Sequence, residues 1–245
     1  MPKILKEKIP LGTEVRLGIF FIFLFCLIIL TNPSVIIKEE IKSPDSVAEI
    51  SRGDKTRMQV VFTFDGGSED FSSEKILDVL ARHKVKSSFF LTGKFIEKYP
   101  DVVRRMYREG HEIYNHTYDH PKLTLVSDEE IVKQFGDTER ALYKIIGRTS
   151  KPYFRAPYGD QDERVRRVAH GAGYQSVFWG TDALDWQESM GRTEHEVKSL
   201  ILSTLTPGNI YLMHLGDNIT GNILDEMITT IREKGYNIVS LKQGL

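Results

Sequence analysis

Short apolar runs alternate with amphipathic stretches through most of this chain. Seven runs have the length and side-chain types of buried strands, and they cover residues 59–64, 87–91, 112–115, 153–155, 175–179, 209–214 and 236–240. Helical patterns separate them. Strands that alternate with helices predict an α/β domain with parallel pairing, but the spacing alone fits either an open sheet or a closed barrel.

Capping signals place several helix ends. Capping boxes at Ser127-x-x-Glu130 and Thr193-x-x-Glu196 predict two helix starts. After the first box, apolar residues recur at helical spacing and are expected to face inward: Ile131, Phe135, Leu142 and Ile145. Three glycines that follow periodic stretches predict helix ends: Gly110, Gly147 and Gly235.

The N-terminal part of the chain has a different character. Residues 17–30 are continuously apolar and follow a basic flank at 1–16, which predicts a signal anchor or transmembrane helix over 17–37. Residues 38–57 mix charges and prolines and are expected to be a linker to a domain at 58–245. The domain is therefore expected outside the cytoplasm, membrane-anchored, or alternatively secreted after signal cleavage.

Composition and charge exclude some functions. The formal net charge is −1, so no basic face for nucleic acid is indicated. The single cysteine, Cys26, lies in the apolar run, which excludes an intrachain disulfide and a cysteine zinc cluster. A serine nucleophile is also disfavoured, since no G-x-S-x-G motif occurs.

Polar side chains recur at the C-terminal ends of the predicted strands. They are Asp65, His116, Arg155, Asp182, Asp185 and His214. In a (β/α) barrel these ends share one face, where active sites lie. Random placement would scatter such residues over the helices as well, so this pattern favours a functional site.

Taken singly, two of these motifs leave alternatives open. His116 and His120 are spaced to share one metal ion, or they are two surface histidines. Asp65 precedes two glycines and is either a catalytic base or a turn former.

The remaining candidates are equally open when taken one at a time. Arg155 could hold a carboxylate or lie on the surface, and His214 could be a core histidine. Trp186 could be a core aromatic, while Asp185 could fix a histidine tautomer.

The order of five motifs, TFDGG, HTYDH, RAPYG, DALDW and LMH, resembles that of the polysaccharide deacetylases of carbohydrate esterase family 4, the NodB homology domain. The resemblance covers about residues 58–245. It implies a distorted (β/α) barrel with about seven parallel strands. It also implies an enzyme that hydrolyses the N-acetyl amide of an amino sugar, releasing acetate and a free amine.

The resemblance assigns a role to each motif. His116 and His120 would hold a divalent metal, zinc or cobalt. Asp65 would be the general base for the attacking water, oriented and kept ionised by Arg155. His214 would protonate the departing amine, tuned by Asp185 or Asp182. The oxyanion would rest on the metal and a backbone N–H near Tyr158, and Trp186 with Leu212 would form the apolar slot for the acetyl methyl.

One departure from the family pattern concerns the metal. The family has a second carboxylate after the base, whereas this chain has Gly66. The loss would weaken metal binding unless Glu69, Asp70 or Asp119 substitutes.

The segment from Asp65 to Asp70, D-x-G-x-E-D, resembles the variant in the muramic-acid deacetylase branch. Peptidoglycan is therefore the expected partner, with muramic acid slightly ahead of N-acetylglucosamine. A catalytically weak glycan-binding relative and a deacetylase of another N-acetylglucosamine polymer remain alternatives.

Overall fold

The computed structural model describes residues 47–67 and 69–245, and these described residues form one compact unit. The predicted segments 1–16 and 17–37 lie outside the described residues. Among the helices that are described, none combines the length and apolar character needed to cross a membrane.

Eight strands are described, joined by parallel pairing throughout. They are β1 Gln59–Gly66, β2 Ser88–Leu91, β3 Glu112–Asn115, β4 Tyr153–Phe154, β5 Gln175–Ser176, β6 Thr181–Asp182, β7 Ile210–His214 and β8 Asn237–Val239. Seven follow the order β5-β4-β3-β2-β1-β7-β6, and β8 pairs with the N-terminal half of β1. The predicted parallel α/β class is confirmed, as a curled sheet of the kind found in distorted (β/α) barrels.

The prediction of a strand over 175–179 is wrong beyond Ser176. Val177 pairs with Ile50 from the segment that precedes β1, and the chain then enters β6, a short strand that the hydrophobic pattern did not indicate. The reason is that β5 and β6 lie at opposite ends of the sheet path, so the chain must leave one edge before it joins the other.

The end of the predicted linker, 38–57, packs on the domain. Beyond the bridge at Ile50, Arg52 pairs with Asn209, and the Gly53 N–H donates to the Gly208 carbonyl at 2.8 Å. These contacts place residues 50–53 against the domain rather than in a free tether.

Eight α-helices are described. They are α1 Ser73–Arg82, α2 Gly93–Lys98, α3 Pro100–Arg108, α4 Asp128–Ile146, α5 Glu163–Gly171, α6 Glu194–Ser203, α7 Ile219–Glu233 and α8 Leu241–Gly244. Both predicted helix starts are confirmed: the complete capping box forms at Thr193, whereas at Ser127 the hydroxyl accepts the Glu130 N–H, which is one half of the box. Gly147 ends α4 with φ 65°, a left-handed conformation that glycine adopts without a steric penalty.

Alternation along β1 separates two environments. Val60, Phe62 and Phe64 belong to the large apolar cluster that includes residues of α1 and α7, while Val61 belongs to a smaller cluster with residues of β2, β3 and β7. Successive side chains of a strand point to opposite faces. Asp65 therefore continues the face of Val61, at the C-terminal end of the strand.

Candidate active site

A cavity of about 640 Å³ opens at the C-terminal ends of the strands. Nine of the residues predicted from the sequence line it: Asp65, Glu69, His116, His120, Tyr158, Asp182, Trp186, Leu212 and His214. Arg155 and Asp185 are fully buried and contact lining residues. Residues that lie far apart in the sequence thus meet at one face.

A buried ion pair lies at the floor of this cavity. Arg155 Nη1 donates to Asp65 Oδ1 at 2.6 Å and to the Thr63 hydroxyl at 2.9 Å. The guanidinium also lies over the ring of Phe90, 4.1 Å from its centroid. Burial raises the pKa of the Asp65 carboxyl above its usual range, and the Arg155 charge opposes that rise. Asp65 is therefore a stronger base than an exposed aspartate whenever it is ionised.

The two predicted metal ligands face each other. The Nε2 atoms of His116 and His120 are 3.2 Å apart, and His116 Nε2 lies 3.6 Å from Asp65 Oδ2. His116 Nδ1 is 2.9 Å from the Arg155 carbonyl, which can only accept, so Nδ1 carries the proton and the Nε2 lone pair faces the cavity. Burial lowers the pKa of both histidines to about 3, so both imidazoles are neutral at physiological pH.

An aspartate holds the second predicted proton-transfer residue in place. Asp185 Oδ1 lies 2.8 Å from His214 Nδ1, and Asp185 Oδ2 accepts the His214 backbone N–H at 2.8 Å. Thr220 Oγ1 donates to the same oxygen at 2.5 Å. Burial alone would lower the pKa of His214, but the Asp185 carboxylate, with smaller contributions from Asp65 and Asp182, raises it to about 9. His214 is therefore an imidazolium at neutral pH.

The three carboxylates predicted as alternative metal ligands form other contacts. Glu69 lines the cavity but pairs with Lys98 at 2.9 Å, and Asp70 Oδ1 accepts the Ser73 N–H at the start of α1. Asp119 lies 3.9 Å from Lys94. The contacts in this structure therefore bring Asp65, rather than any of these three, next to His116.

A different triad also has ligand-type atoms in proximity. One such atom from each of Asp182, Asp185 and His214 lies within 4.8 Å of the others, an arrangement that could accommodate an ion. However, both Asp185 oxygens already accept hydrogen bonds, and the His214 nitrogen that faces Asp185 is Nδ1. A protonated imidazole has no lone pair to offer. This group is therefore better described as a carboxylate–imidazolium pair.

Left-handed backbone conformations cluster around the cavity. Four non-glycine residues there have positive φ: Thr117 (65°), His120 (67°), Tyr158 (59°) and Leu184 (59°). Each such residue costs about 1–3 kcal/mol and is retained where function requires the geometry. His120 contacts the Tyr158 ring edge-to-face, with 4.5 Å between ring centroids, so two of these residues support each other.

Sequence reasoning did not identify Thr63, Thr220 and Asp217 as partners of the site. Thr63 lies in an apolar strand, and Thr220 begins a helix that carries no other predicted site residue. The Thr220 N–H donates to Asp217 Oδ1 at 3.1 Å, so the Asp-x-x-Thr spacing, a helix-start pattern, was the available signal.

Comparison with known proteins agrees with this geometry. A family model described as polysaccharide deacetylase matches residues 52–177. The chain belongs to the polysaccharide deacetylase family. It is 33% identical over 189 residues to the peptidoglycan-N-acetylmuramic acid deacetylase PdaA of Bacillus subtilis, covering 77% of this chain and 72% of that protein. It is also 35% identical over 193 residues to a peptidoglycan-N-acetylglucosamine deacetylase of Bacillus cereus, covering 77% and 69%.

Solved structures of the deacetylase family resemble this fold. The structure of Bacillus subtilis PdaA, a family 4 carbohydrate esterase, has a TM-score of 0.76 at 32% identity and covers 80% of this chain and 84% of its own. A family 4 pseudoenzyme from Bacillus anthracis has a TM-score of 0.74 at 26% identity, covering 81% and 69%. A mutant of that pseudoenzyme is described as having restored enzymatic activity.

Proposed function

We propose that this deacetylase removes the N-acetyl group from amino sugars of peptidoglycan, with muramic acid ahead of N-acetylglucosamine as the preferred unit. The observation that carries the proposal is the pairing in one cavity of a buried carboxylate with raised pKa, Asp65, and an imidazolium, His214. Amide hydrolysis requires a base for the water and an acid for the departing amine, and these two groups provide them.

The register of the sheet supports these roles. Asp65 and His214 are direct neighbours on the adjacent strands β1 and β7. Both side chains line the same cavity, so an amide bound there would lie between the proposed base and the proposed acid. Asp65 takes the proton from water, and Arg155 holds the Asp65 carboxyl in place through Nη1. His214 delivers the Nε2 proton to the amine, and Asp185 stabilises the imidazolium through Nδ1.

The histidine pair fits a divalent metal such as zinc or cobalt. Two nitrogen ligands of a tetrahedral zinc site with bonds of 2.0–2.1 Å lie about 3.3 Å apart, and His116 and His120 have their Nε2 atoms at 3.2 Å. Two neutral imidazoles with facing lone pairs are also the ligand type that zinc and cobalt prefer. A bound ion would polarise the acetyl carbonyl and lower the pKa of the attacking water.

The walls of the cavity fit an N-acetyl sugar. Leu212 is buried and Trp186 half-exposed, and both line the cavity, so they can enclose the acetyl methyl. The exposed Lys122 lies beside Tyr158, which lines the cavity, with its Nζ 5.8 Å from the ring centroid. A cation there suits the lactyl carboxylate that distinguishes muramic acid from N-acetylglucosamine. The relatives named for peptidoglycan substrates support the same polymer.

Anchoring in a membrane through residues 17–37 would place the enzyme on the side where the wall polymer lies. The apolar run and its basic flank support this part of the proposal.

Gly66 supports a second candidate function, a glycan-binding relative with weak catalysis. A Cβ at this position would lie 2.7 Å from Leu91 Cδ2 and 3.2 Å from Phe95 Cδ2, so the position faces apolar side chains. With glycine at this position, the chain lacks a carboxylate where the family pattern has one. A pseudoenzyme is also among its structural relatives.

Acetate release by the purified chain tests the two candidates. The substrates are peptidoglycan and N-acetylglucosamine oligomers, each assayed with chelator, with zinc and with cobalt. Metal-dependent release from peptidoglycan is the expected result. Absence of release from every glycan by folded, metal-loaded protein would refute catalysis and leave the binding function, which glycan pull-down would then measure.

A further inference from the structure

Asp217 is a buried carboxyl group to which the mechanism above assigns no role. It lies between β7 and α7, its side chain is almost inaccessible to water, and the residue is 3% exposed. It lines a smaller cavity of about 190 Å³ that shares Phe71, Trp186 and Gly216 with the active-site cavity. A buried carboxylate without a counter-charge is strongly destabilising, so its environment needs an explanation.

The hydrogen bonds of Asp217 are incomplete. Oδ1 accepts the Thr220 N–H at 3.1 Å, but no donor from the described part of the chain reaches Oδ2, which is inaccessible to solvent. Nor does any lysine or arginine of the described residues form an ion pair with this carboxyl, whereas the nearby Asp185 is paired with His214.

The neighbour of Asp217 is the carboxylate that holds His214. Thr220 bridges the two carboxyl groups by donating its N–H to Asp217 Oδ1 and its hydroxyl to Asp185 Oδ2, which brings them close together. Two carboxylates in contact repel each other unless one carries a proton. Asp185 has the His214 imidazolium as its counter-charge, so Asp217 is the member of the pair that must be neutral.

We propose that Asp217 is a positioning residue that carries a proton on Oδ2 at neutral pH and donates it in a hydrogen bond to Asp185. The inference rests on the proposed function, since it concerns the acid in that reaction. A chain of hydrogen bonds then connects Asp217 through Asp185 to His214 Nδ1. As a donor to Asp185, neutral Asp217 withdraws negative charge from that carboxylate and limits how tightly His214 retains its proton.

The surrounding charges agree with this protonation. Burial, the largest influence, and the Asp185 charge raise the pKa of Asp217 to about 8, while the Thr220 N–H and His214 oppose the rise. The other carboxylate that lines the small cavity, Glu188, accepts hydrogen bonds from Asn218 and adds further negative charge nearby. Above pH 8 Asp217 would ionise, and its charge would hold the proton on His214 more firmly.

Carboxyl NMR of the zinc-loaded protein tests the protonation directly. In protein carrying ¹³C-labelled aspartate, one carboxyl resonance should titrate near pH 8 and disappear in Asp217→Asn. The matched control is Glu188→Gln, which removes a carboxylate from the same cavity and should leave that resonance unchanged. If every aspartate titrates below about pH 6, well under the range expected for a buried carboxyl beside a second carboxylate, the proposal is overturned, whether or not the chain is an active deacetylase.

The pH dependence of catalysis tests the connection to His214. The asparagine side chain cannot ionise, so in Asp217→Asn the alkaline limit of kcat/KM and the ¹⁵N titration of His214 should both move down by about half a pH unit to one unit. An unchanged titration of His214 would refute the positioning role. The NMR titration of wild type decides the protonation even if the variant does not fold.

Discussion

Replacing Asp65 by asparagine would remove the negative charge beside a fully buried guanidinium. Arg155 donates to Asp65 Oδ1 at 2.6 Å, and its other partners are the Thr63 hydroxyl and the carbonyls of Val177 and Phe178 at 3.3 and 3.4 Å, all of them neutral. The asparagine would preserve the shape of the side chain but leave the Arg155 charge uncompensated.

The expected cost in stability follows from that burial. Breaking a buried ion pair by removing one partner costs about 3–5 kcal/mol. At about 2–4 °C per kcal/mol for a domain of this size, the melting temperature should fall by roughly 10 °C. Thermal unfolding followed by circular dichroism would measure the fall in melting temperature, and denaturant unfolding would measure the loss of free energy of unfolding. Asp119→Asn is the matched control, because its carboxylate is exposed and 3.9 Å from Lys94, and it should shift the midpoint little.

Activity and stability should separate in the double variant. Asp65→Asn should lower kcat by about 100- to 10,000-fold through loss of the base. Adding Arg155→Met removes the stranded charge, so the double variant should be more stable than Asp65→Asn alone while remaining inactive. The reasoning fails if Asp65→Asn unfolds at the wild-type midpoint, if the two stability losses simply add, or if Asp65→Asn retains wild-type turnover.

Three further substitutions test separate parts of the site. His116→Ala should abolish the stoichiometric zinc content found by metal analysis, whereas replacing the exposed His195 should not. An unchanged zinc content in His116→Ala would refute the ligand assignment. Asp185→Asn removes the main group that raises the pKa of His214 to about 9, so the alkaline limit of kcat/KM should move down from near that pH; a fixed limit would exclude His214 as the acid. Gly66→Asp should destabilise the fold by about 1–3 kcal/mol through crowding. Zinc binding to Gly66→Asp and to Gly66→Asn would be compared by competition with a chelator. Tighter binding in the aspartate variant would show that this position supplies a ligand.

The main strands β1, β2 and β7 were predictable because each carries a run of mostly apolar residues, as strands buried on both faces do. β1, β2, β3 and β7 are buried on both faces, and their predicted positions agree with the structure within one or two residues. β6 was not predictable, because it is two residues long and exists through its pairing with β7 at Tyr211 and Leu212. A strand of two residues leaves no hydrophobic pattern in the sequence.

The residues of the site were predictable, but their partners were not. Strand ends and motif order identified Asp65, Arg155 and His214, since parallel strands bring their C-terminal ends to one face. The hydrogen bond from Arg155 to Thr63, by contrast, joins residues 92 positions apart, and the choice of Thr63 depends on packing inside the barrel. Asp217 was missed for a related reason: a carboxyl that follows a strand is ordinarily a turn former, and only its burial distinguishes it.

Side chains along β1 point alternately to the two faces of the sheet, and this determines the effect of having glycine at position 66. Asp65 points to the cavity, while a side chain at Gly66 would begin among Leu91, Phe95 and Leu215. The glycine therefore leaves the Asp65–Arg155 pair and the His214–Asp185 pair intact, so the proposed base and the proposed acid are both retained. By the family pattern, we expect a carboxylate at position 66 to add affinity for the ion. Catalysis by this chain should accordingly be limited by metal occupancy, so that acetate release rises with added zinc or cobalt until the site is filled, with the pH limits unchanged throughout. A rate that is already maximal in stoichiometric metal would mean that Asp65 or another group completes the site without position 66.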